Sequence, residues 1–440
     1  MRQRWTGIFT TVMLLGFALP ALAQDADSFR PLFNGKDLSG WARVNCAPDT
    51  FTVKDGIIVS TGIPTGVLRT DKMYENFILE LEWKHIQEKG NAGLFIWSDP
   101  LPAPGVPFTR SIEVQILDGI NTENYTSHGD IFSIHGATLK PDRPHPNGWA
   151  RCLPSEHRCK PAGEWNHYRV ECQDGAIKLA VNGKVVSGVS ECKPRKGYIC
   201  LEAEGSECHF RNIRIQELPS TKPKPEEIAA AADDFQPLYT GVDLSGWKQD
   251  PGHVGHWQPK DWRLVYDGKS EAKDKNLWTE KEYGDFVLIC DWRFTGKPVK
   301  TLRPVILPNG DYAMEDGKVK QVEVLDAGDS GIYLRGTSKA QVNMWCWPIG
   351  SGEVYGYRND KNQPPEVRAG VTPKVAADHP PGRWNRFIIT MKGDRLTVDL
   401  NGQRVLDNAQ LPGVPPRGPL ALQHHGDPIE FANIFIKELD

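Results

Sequence analysis

The sequence predicts an all-β fold made of two tandem jelly-roll β-sandwich domains. Residues 29–41 read FRPLFNGKDLSGW and residues 235–247 read FQPLYTGVDLSGW, with nine of thirteen positions identical. The two segments that begin this way also end alike, in FRNIRIQEL at Leu218 and in FANIFIKEL at Leu439. These units are much longer than solenoid repeats, so each copy is expected to bury a core of its own.

Alternating side chains and hairpin signals predict strands in both copies. Residues 77–83 read FILELEW and residues 286–292 read FVLICDW, and apolar residues alternate in each as in a half-buried strand. An Asn-Gly pair, at 182–183 and again at 401–402, separates further strand-like runs as in a tight hairpin. No long amphipathic helical pattern appears, so an antiparallel sandwich is favoured.

The N-terminal residues 1–23 have the pattern of a signal peptide. Arg2 and Arg4 precede an apolar stretch, and Ala-Leu-Ala stands before Gln24 at the expected cleavage site. We therefore expect an exported protein, periplasmic or extracellular, and no other segment is apolar enough to span a membrane. An uncleaved amphipathic anchor is the alternative.

The remaining chain divides at a Pro/Lys- and Ala-rich segment, residues 219–234, which predicts a linker. The two jelly rolls are then residues 29–218 and residues 235–440. The net charge of −4 and the absence of a basic stripe argue against a nucleic-acid partner. Fourteen tryptophans would suit stacking on sugar rings, although most tryptophans in a β protein belong to the core.

Seven of the nine cysteines lie in the first copy. In an exported protein such clustering favours disulfides, and three local pairs suit them: Cys152 with Cys159, Cys172 with Cys192, and Cys200 with Cys208. A zinc site is the alternative, and the lack of a CxxC pair counts against it. Cys290 and Cys346, in the second copy, lie in apolar runs and are expected to be buried thiols.

Further motifs occur in both copies in the same order. They are GEWN at 163–166, GRWN at 382–385, the Asn-Gly hairpin and the closing F-x-N-I-x-I-x-E-L. With the opening motif they make the chain resemble, twice, the 3-keto-disaccharide hydrolase family, also described as 3-keto-glucoside lyase and hydratase. The resemblance implies a concanavalin-like jelly roll in each copy and a glycoside or oligosaccharide substrate.

The resemblance also implies a reaction. A ketone at C3 of a glycoside acidifies the C2 hydrogen, so its removal gives an enolate that expels the aglycone from C1. Water then adds to the 3-keto-glucal, and the net result is hydrolysis. The site needs a base at C2 and an electrophile at the C3 oxygen. A divalent cation would serve as that electrophile, but no compact metal motif is present. A non-catalytic tandem carbohydrate-binding protein and a conventional glycoside hydrolase are the alternatives.

The resemblance places the candidate catalytic residues in the second copy. Arg335, in DSGIYLRG, would hold the ketone or enolate oxygen. His425, in ALQHHG, would be the base at C2. If His425 is not the base, His424 or a carboxylate such as Glu353 is the next candidate. An arbitrary histidine more often has a core or capping role, which is the alternative here.

Substrate-binding residues are expected on the groove side of two strands of the second copy. Strand alternation from Gln341 places Asn343 and Trp345 on this side, and Gln423 precedes the two histidines. Amides beside an indole suit a polyol, since amides bond to hydroxyls and the indole stacks on the ring. An ordinary solvated sheet face is the alternative.

The first copy carries a different polar set. Glu113, Gln115 and Asp118 occupy the matching strand, predicted over residues 112–118, and Glu204 stands where the second copy has His425. Trp97 replaces the arginine of the second copy. The first copy is therefore expected to be a binding domain, or an enzyme that relies on carboxylates and on His128.

Overall fold

The structure is a computed structural model that describes residues 28–121 and 126–439. The predicted signal peptide lies outside these residues. The first domain comprises the strands β1 (Arg30–Pro31), β2 (Trp41–Val44), β3 (Phe51–Lys54), β4 (Ile57–Ser60), β5 (Gly66–Thr70), β6 (Phe77–His85), β7 (Asn91–Ser98), β8 (Ser111–Leu117), β9 (Ile120–Asn121), β10 (Thr126–Ser127), β11 (Ile131–Ile134), β12 (Thr138–Pro141), β13 (Arg151–Cys152), β14 (Asn166–Gln173), β15 (Ala176–Val181), β16 (Lys184–Lys193), β17 (Tyr198–Ala203) and β18 (Cys208–Glu217).

Two antiparallel sheets form the first sandwich. Its back sheet has the strand order β12-β16-β15-β14-β6-β18-β4-β3, with β1 beside β18. Its front sheet has the order β13-β11-β8-β7-β17-β5-β2. The outward side of the front sheet is called the front face below. The predicted hairpin is β15–β16, and Asn182 at its turn has the positive φ of 45° that this turn type requires.

The second domain repeats this arrangement. Its strands are β19 (Gln236–Pro237), β20 (Trp257–Lys260), β21 (Arg263–Tyr266), β22 (Leu277–Tyr283), β23 (Phe286–Phe294), β24 (Val299–Pro304), β25 (Met314–Glu315), β26 (Lys318–Val319), β27 (Gln321–Asp326), β28 (Asp329–Leu334), β29 (Thr337–Trp345), β30 (Asn385–Lys392), β31 (Arg395–Leu400), β32 (Gln403–Gln410), β33 (Gly418–Leu422) and β34 (Ile429–Glu438), with short helices α1 (Tyr355–Arg358) and α2 (Pro365–Gly370).

The back sheet of the second domain has the order β20-β21-β34-β23-β30-β31-β32, with β19 beside β34. Its front sheet has the order β22-β33-β28-β29. Alternate residues of both sheets fill one core per domain, and Trp83 and Trp292 occupy equivalent places in the two cores. The predicted all-β tandem sandwich is therefore confirmed.

A double hairpin, residues 299–326, is an insertion in the second domain and is called the arm. It consists of the β24–β27 ribbon and the smaller β25–β26 hairpin at its tip. In the first domain only residues 86–90 connect the two equivalent strands, β6 and β7. The arm therefore adds a wall beside the second front sheet that the first domain lacks.

The second back sheet packs against the first front face. Phe95 of the first domain is buried in a small apolar cluster with Ile289 and Phe435 of the second. Gly105 donates its N–H to the Asp291 carboxylate at 2.8 Å, and Asn433 donates to the same carboxylate at 2.7 Å. The second domain thus covers part of the front face of the first.

The predicted linker is fastened to the first domain. Glu75 accepts hydrogen bonds from Ser220 Oγ at 2.6 Å and from the Thr221 N–H at 2.7 Å. The Ala232 N–H donates to Tyr198 at 2.8 Å, and a single 3-10 turn forms at Pro225–Glu227. The linker is therefore bound along its length rather than extended in solvent.

The expected disulfides do not form in the structure, where all nine cysteines are free. The predicted pair of Cys200 and Cys208 is not formed because the two side chains lie in different places. Cys200 is in the interdomain cluster, and Cys208 is in the core of the first domain. Cys290 is buried as expected, whereas Cys346 is only partly buried. No helix of the described residues has the length and apolarity needed to cross a bilayer.

Candidate functional site

The strand registers show that the two front faces are equivalent residue by residue. Leu94 faces Val114 and Leu201 in the first domain, as Ile332 faces Val342 and Leu422 in the second. Each polar residue of the first face therefore has a single equivalent residue in the second face. The replacements are Asn91 by Asp329, Glu113 by Gln341, Gln115 by Asn343, Glu202 by Gln423 and Glu204 by His425.

An amide floor lies at the centre of the second front face. Gln341 Nε2 donates to Gln423 Oε1 at 2.5 Å, directly over Gly331, which has no side chain to separate them. Ser330 Oγ donates to the Gln423 carbonyl at 3.0 Å from the β28 side. Asn343 is the neighbour of Gly331 on β29, and its backbone bonds to a loop residue, Glu353, through N–H···O at 3.0 Å. The predicted binding residues Gln341, Asn343 and Gln423 are therefore brought together.

His425 stands at the edge of this floor between two carboxylates. Its Nε2 lies 4.0 Å from Asp329 Oδ2, and its Nδ1 lies 3.8 Å from Asp427 Oδ2. The imidazole is 48% exposed, so a substrate can reach it. Burial raises the pKa of Asp329 to about 6, and His425 opposes that shift while Asp427 adds to it. The sequence analysis does not assign a role to Asp329 or Asp427, although Asp329 begins the motif DSGIYLRG and Asp427 directly follows ALQHHG.

His424 points to the other side of its strand. Its Nδ1 makes a short hydrogen bond with the Tyr266 hydroxyl, and its backbone N–H donates to Asn276 at 3.0 Å. Tyr266 is fully buried and stacks on Trp257 with ring centroids 3.9 Å apart. His424 is thus attached to the core, and His425 is the exposed member of the pair.

Tyr333 adds a phenol to the second front face. It lies on β28 directly opposite Gln341, and its ring is 5.8 Å from that of Trp278. Burial raises the pKa of Tyr333, so its hydroxyl keeps its proton and remains a hydrogen-bond donor. The first domain has Phe95 at the equivalent position, without a hydroxyl. Sequence comparison missed Tyr333 because a Phe-to-Tyr change is common in cores.

Arg335 is not part of this face, contrary to the prediction. Its side chain is 1% exposed and donates to the Gly284 carbonyl at 2.8 Å, the Gly393 carbonyl at 2.6 Å and Asp285 at 2.8 Å. A positive φ of 49° at the end of β28 turns the side chain out of the strand alternation. Trp97 has the same position, with φ of 54°, and its Nε1 bonds to the equivalent carbonyl, that of Glu75. Both residues therefore close one end of a sandwich.

Glu353 is also withdrawn from the face. It is fully buried and forms a close ion pair with Arg358, which is itself buried. Arg358 in turn donates to the Gly310 carbonyl at 3.2 Å and lies against the Tyr312 ring, both at the tip of the arm. Glu353 thus neutralises the arginine that anchors the arm, and it is not accessible as a base.

Trp345 lies on the predicted side of β29 but is largely enclosed. Its Nε1 donates to the Gly350 carbonyl at 2.7 Å, and one ring face stacks on Trp347 at 4.2 Å. Only 4% of the residue is exposed. A sugar ring therefore cannot use that stacked face.

Three carboxylates gather on the first front face. Glu113 and Glu202 both point over Gly93, where an added Cβ would lie 2.9 and 2.8 Å from their oxygens. Burial, reinforced by the neighbouring carboxylates, raises the pKa of Glu113 and of Glu202 well above the ordinary value. Asn91 donates to Glu204, whose pKa burial also raises. These carboxyl groups therefore keep their protons to a higher pH than exposed glutamates do.

The other residues predicted in the first copy lie elsewhere or are occupied. Gln115 accepts the Ile116 N–H at 2.9 Å beside Gly93. Asp118 lies past the end of β8 and accepts the Lys89 N–H at 2.9 Å, so it ties the β6–β7 turn. His128 is buried and bonds to the Leu117 carbonyl at 3.1 Å. Asp118 is therefore not brought together with Glu113.

No cluster of three or more His, Cys, Asp or Glu side chains in the described ranges, 28–121 and 126–439, is arranged to hold a metal ion. The polar groups of the second face are amides, a phenol, an imidazole and two carboxylates. Such groups can bond to several hydroxyls and can accept and return one proton. The fold and this face define a class: a tandem jelly-roll protein with a polar, partly exposed site on its second front sheet.

The chain belongs to the 3-keto-alpha-glucoside-1,2-lyase-like domain family, whose model matches residues 28–216 and again residues 234–437. This membership supports a carbohydrate-active enzyme. A 3-keto-disaccharide hydrolase of Bacteroides thetaiotaomicron is 24% identical over 245 residues, which covers 45% of this chain and 81% of that protein.

Two solved structures are similar over single domains. One, from Parabacteroides distasonis and named as a candidate glycosyl hydrolase, is 26% identical with a TM-score of 0.35, covering 44% of this chain and 95% of that one. The other, a β-glucanase of Bacillus licheniformis, is 14% identical with a TM-score of 0.28, covering 44% of this chain and 98% of that one.

Proposed function

We propose that this protein is an exported enzyme that cleaves 3-keto-glycosides at the second front face, by elimination at C1–C2 followed by hydration. The observation that carries the proposal is the exposed imidazole of His425, between Asp329 and Asp427 at the edge of the amide floor. Family membership and the named relative support the same substrate class.

In this mechanism His425 removes the C2 proton of the bound sugar. Asp329 and Asp427, at about 4 Å from the two ring nitrogens, stabilise the imidazolium that results. Because the C3 ketone withdraws electrons, the product of deprotonation is an enolate rather than a free carbanion.

Tyr333 is the donor for the enolate oxygen. Its phenol keeps its proton at neutral pH and lies beside the amide floor, opposite Gln341. The enolate then collapses, the C1–O bond breaks, and the imidazolium returns its proton to the leaving oxygen. Gln341, Gln423 and Asn343 hold the remaining hydroxyls, because amides can both donate and accept.

The test uses the full chain with a native disaccharide, its 3-keto form, and a binding assay on each. We expect release of the second sugar from the 3-keto form alone, with exchange of the C2 hydrogen in deuterated water. Cleavage of the native disaccharide would identify a conventional glycoside hydrolase. Binding of both sugars without turnover would identify a carbohydrate-binding protein.

A further inference from the structure

A cavity of about 240 Å³ lies at one end of the second sandwich, between the arm and a proline-rich loop. Trp292 and Phe294 line it from the back sheet, Trp345 and Trp347 from the end of β29, and Leu325 from the arm. Residues 376–383 close the remaining side. The catalytic roles proposed above use none of these residues.

The cavity adjoins the proposed reaction centre. In the β28–β29 register Asp329 is paired directly with Trp345, so a wall of the cavity is next to a carboxylate that flanks His425. Arg303 of the arm bonds to Asp326 at 2.5 Å, and its guanidinium lies 5.9 Å from the Trp347 ring centroid. Trp345 therefore connects the cavity to the carboxylate that flanks His425.

The lining determines the kind of group that fits. Aromatic and aliphatic side chains line it together with Asp378, His379 and Arg383, and the aromatic surfaces suit the apolar faces of a ring. Asp378 is its carboxylate, with one oxygen accepting the Ser351 N–H at 2.8 Å and the other without a partner. Trp292 Nε1 also has no partner. A free hydroxyl on a bound ring could donate to the unpaired oxygen of Asp378 and accept from Trp292 Nε1.

The equivalent end of the first domain has different residues. His85 stands where the second domain has Phe294, and it is buried beside Trp83 with its Nε2 bonded to the Ile116 carbonyl at 2.9 Å. Leu117 replaces Trp345 in the register. Residues 86–90 stand in place of the arm, so the first domain does not repeat these walls of the cavity.

We propose that this cavity is the leaving-group subsite, which binds the six-membered ring that departs from C1. The ring is either a second sugar or the aryl ring of a phenol, which share this size. The proposal rests on the function proposed above, and it makes the enzyme selective for glycosides whose leaving group is a ring.

The test compares two variants that each add an indole. Ala376 lines the cavity, so Ala376→Trp fills it, whereas its exposed neighbour Val375 is outside the lining, and Val375→Trp is the matched control. Substrates are 3-keto forms of methyl glucoside, phenyl glucoside and a disaccharide. For Ala376→Trp we expect kcat/KM to fall about tenfold or more with at least one ring-bearing substrate and to change less than about twofold with the methyl one.

The substrate that loses more identifies the ring, either the second sugar or the phenol. Equal effects of Ala376→Trp on all three substrates, or no difference from Val375→Trp, would overturn the subsite.

Calorimetric titration with the unoxidised methyl and phenyl glucosides and disaccharide separates the two proposals. Weaker binding of a ring-bearing ligand to Ala376→Trp than to Val375→Trp, with no turnover of any 3-keto substrate, would refute the proposed function and retain the cavity as a ring-binding site. Equal binding by both variants, together with equal turnover, would refute the subsite alone.

Discussion

The two front faces have the same strand arrangement but different polar groups at the centre, carboxyl groups in the first domain and amides in the second. Over Gly93 two carboxylates meet, and because neither can satisfy the other when ionised, they must retain protons. Over Gly331 two amides meet, and one donates to the other at 2.5 Å. The comparison shows that a carboxylate-to-amide change removes two titrating groups and gives a floor whose charge does not change with pH.

Accessibility separates the two faces further. Phe95 is fully buried under Ile289 and Phe435, so domain docking closes the first face at this end. Its counterpart Tyr333 belongs to the second face, where His425 is half exposed. The second domain thus covers its partner while keeping its own face accessible, which is the basis for assigning the chemistry to the second domain.

The largest effect is expected for His425→Ala. Loss of the base should lower kcat about a hundredfold or more, with KM little changed because the amide floor remains. Turnover of a 3-keto disaccharide and C2 exchange in deuterated water measure it.

His424→Ala is the matched control. It removes the bond to Tyr266 and should lower the melting temperature while leaving kcat within a few-fold. If the two variants exchanged these phenotypes, the assignment of the base would be reversed.

Arg335→Ala tests whether this arginine has a structural role rather than the predicted catalytic one. The change removes the partner of Asp285 and leaves several carbonyls unpaired, so we expect the second domain to lose about 3–5 kcal/mol of unfolding free energy. Urea unfolding measures this loss, and kcat of the folded fraction should be unchanged. A folded variant with abolished activity would show that Arg335 takes part in the reaction.

Tyr333→Phe installs the residue of the first domain in the second face. Loss of the phenol donor should lower kcat about a hundredfold, with a stability change smaller than that of Arg335→Ala. Single-turnover kinetics on a 3-keto glycoside provide the measurement. An unchanged rate would show that another group holds the enolate oxygen.

Glu202→Gln installs the amide of the second domain in the first face. The native protein holds protons on Glu113 and Glu202 that the unfolded chain releases above the ordinary pKa of 4.5, so stability should fall as pH rises above that value. The variant should be stabilised by about 1–3 kcal/mol at neutral pH, since it no longer has an unpaired buried carboxylate.

Thermal unfolding between pH 4.5 and 8 tests this expectation, with Gln423→Glu as the reciprocal change in the second domain. The Glu202→Gln profile should be flatter than that of the wild type, and the Gln423→Glu profile should be steeper. A wild-type profile that rises over this range would contradict the raised pKa of Glu113 and Glu202.

The sequence by itself determined the tandem repeat, the strand periodicity and the side of each strand that faces outward. Residues 341–345 illustrate this, because alternation is a local property of the extended chain and places Gln341 and Asn343 on one side wherever the strand packs. The match of Glu204 with His425 followed from aligning the copies. These placements were confirmed by the registers.

Only the tertiary structure decided which of those residues meet and which are withdrawn. Arg335 follows an alternating strand, but a positive φ at the strand end sends its side chain to distant carbonyls that no local pattern reveals. Glu353 is buried in an ion pair with Arg358. The arm, residues 299–326, covers that arginine with the ring of Tyr312. Asp329 and His425 are far apart in sequence. They lie close together because β28, which begins at Asp329, pairs with β33, which ends just before His425.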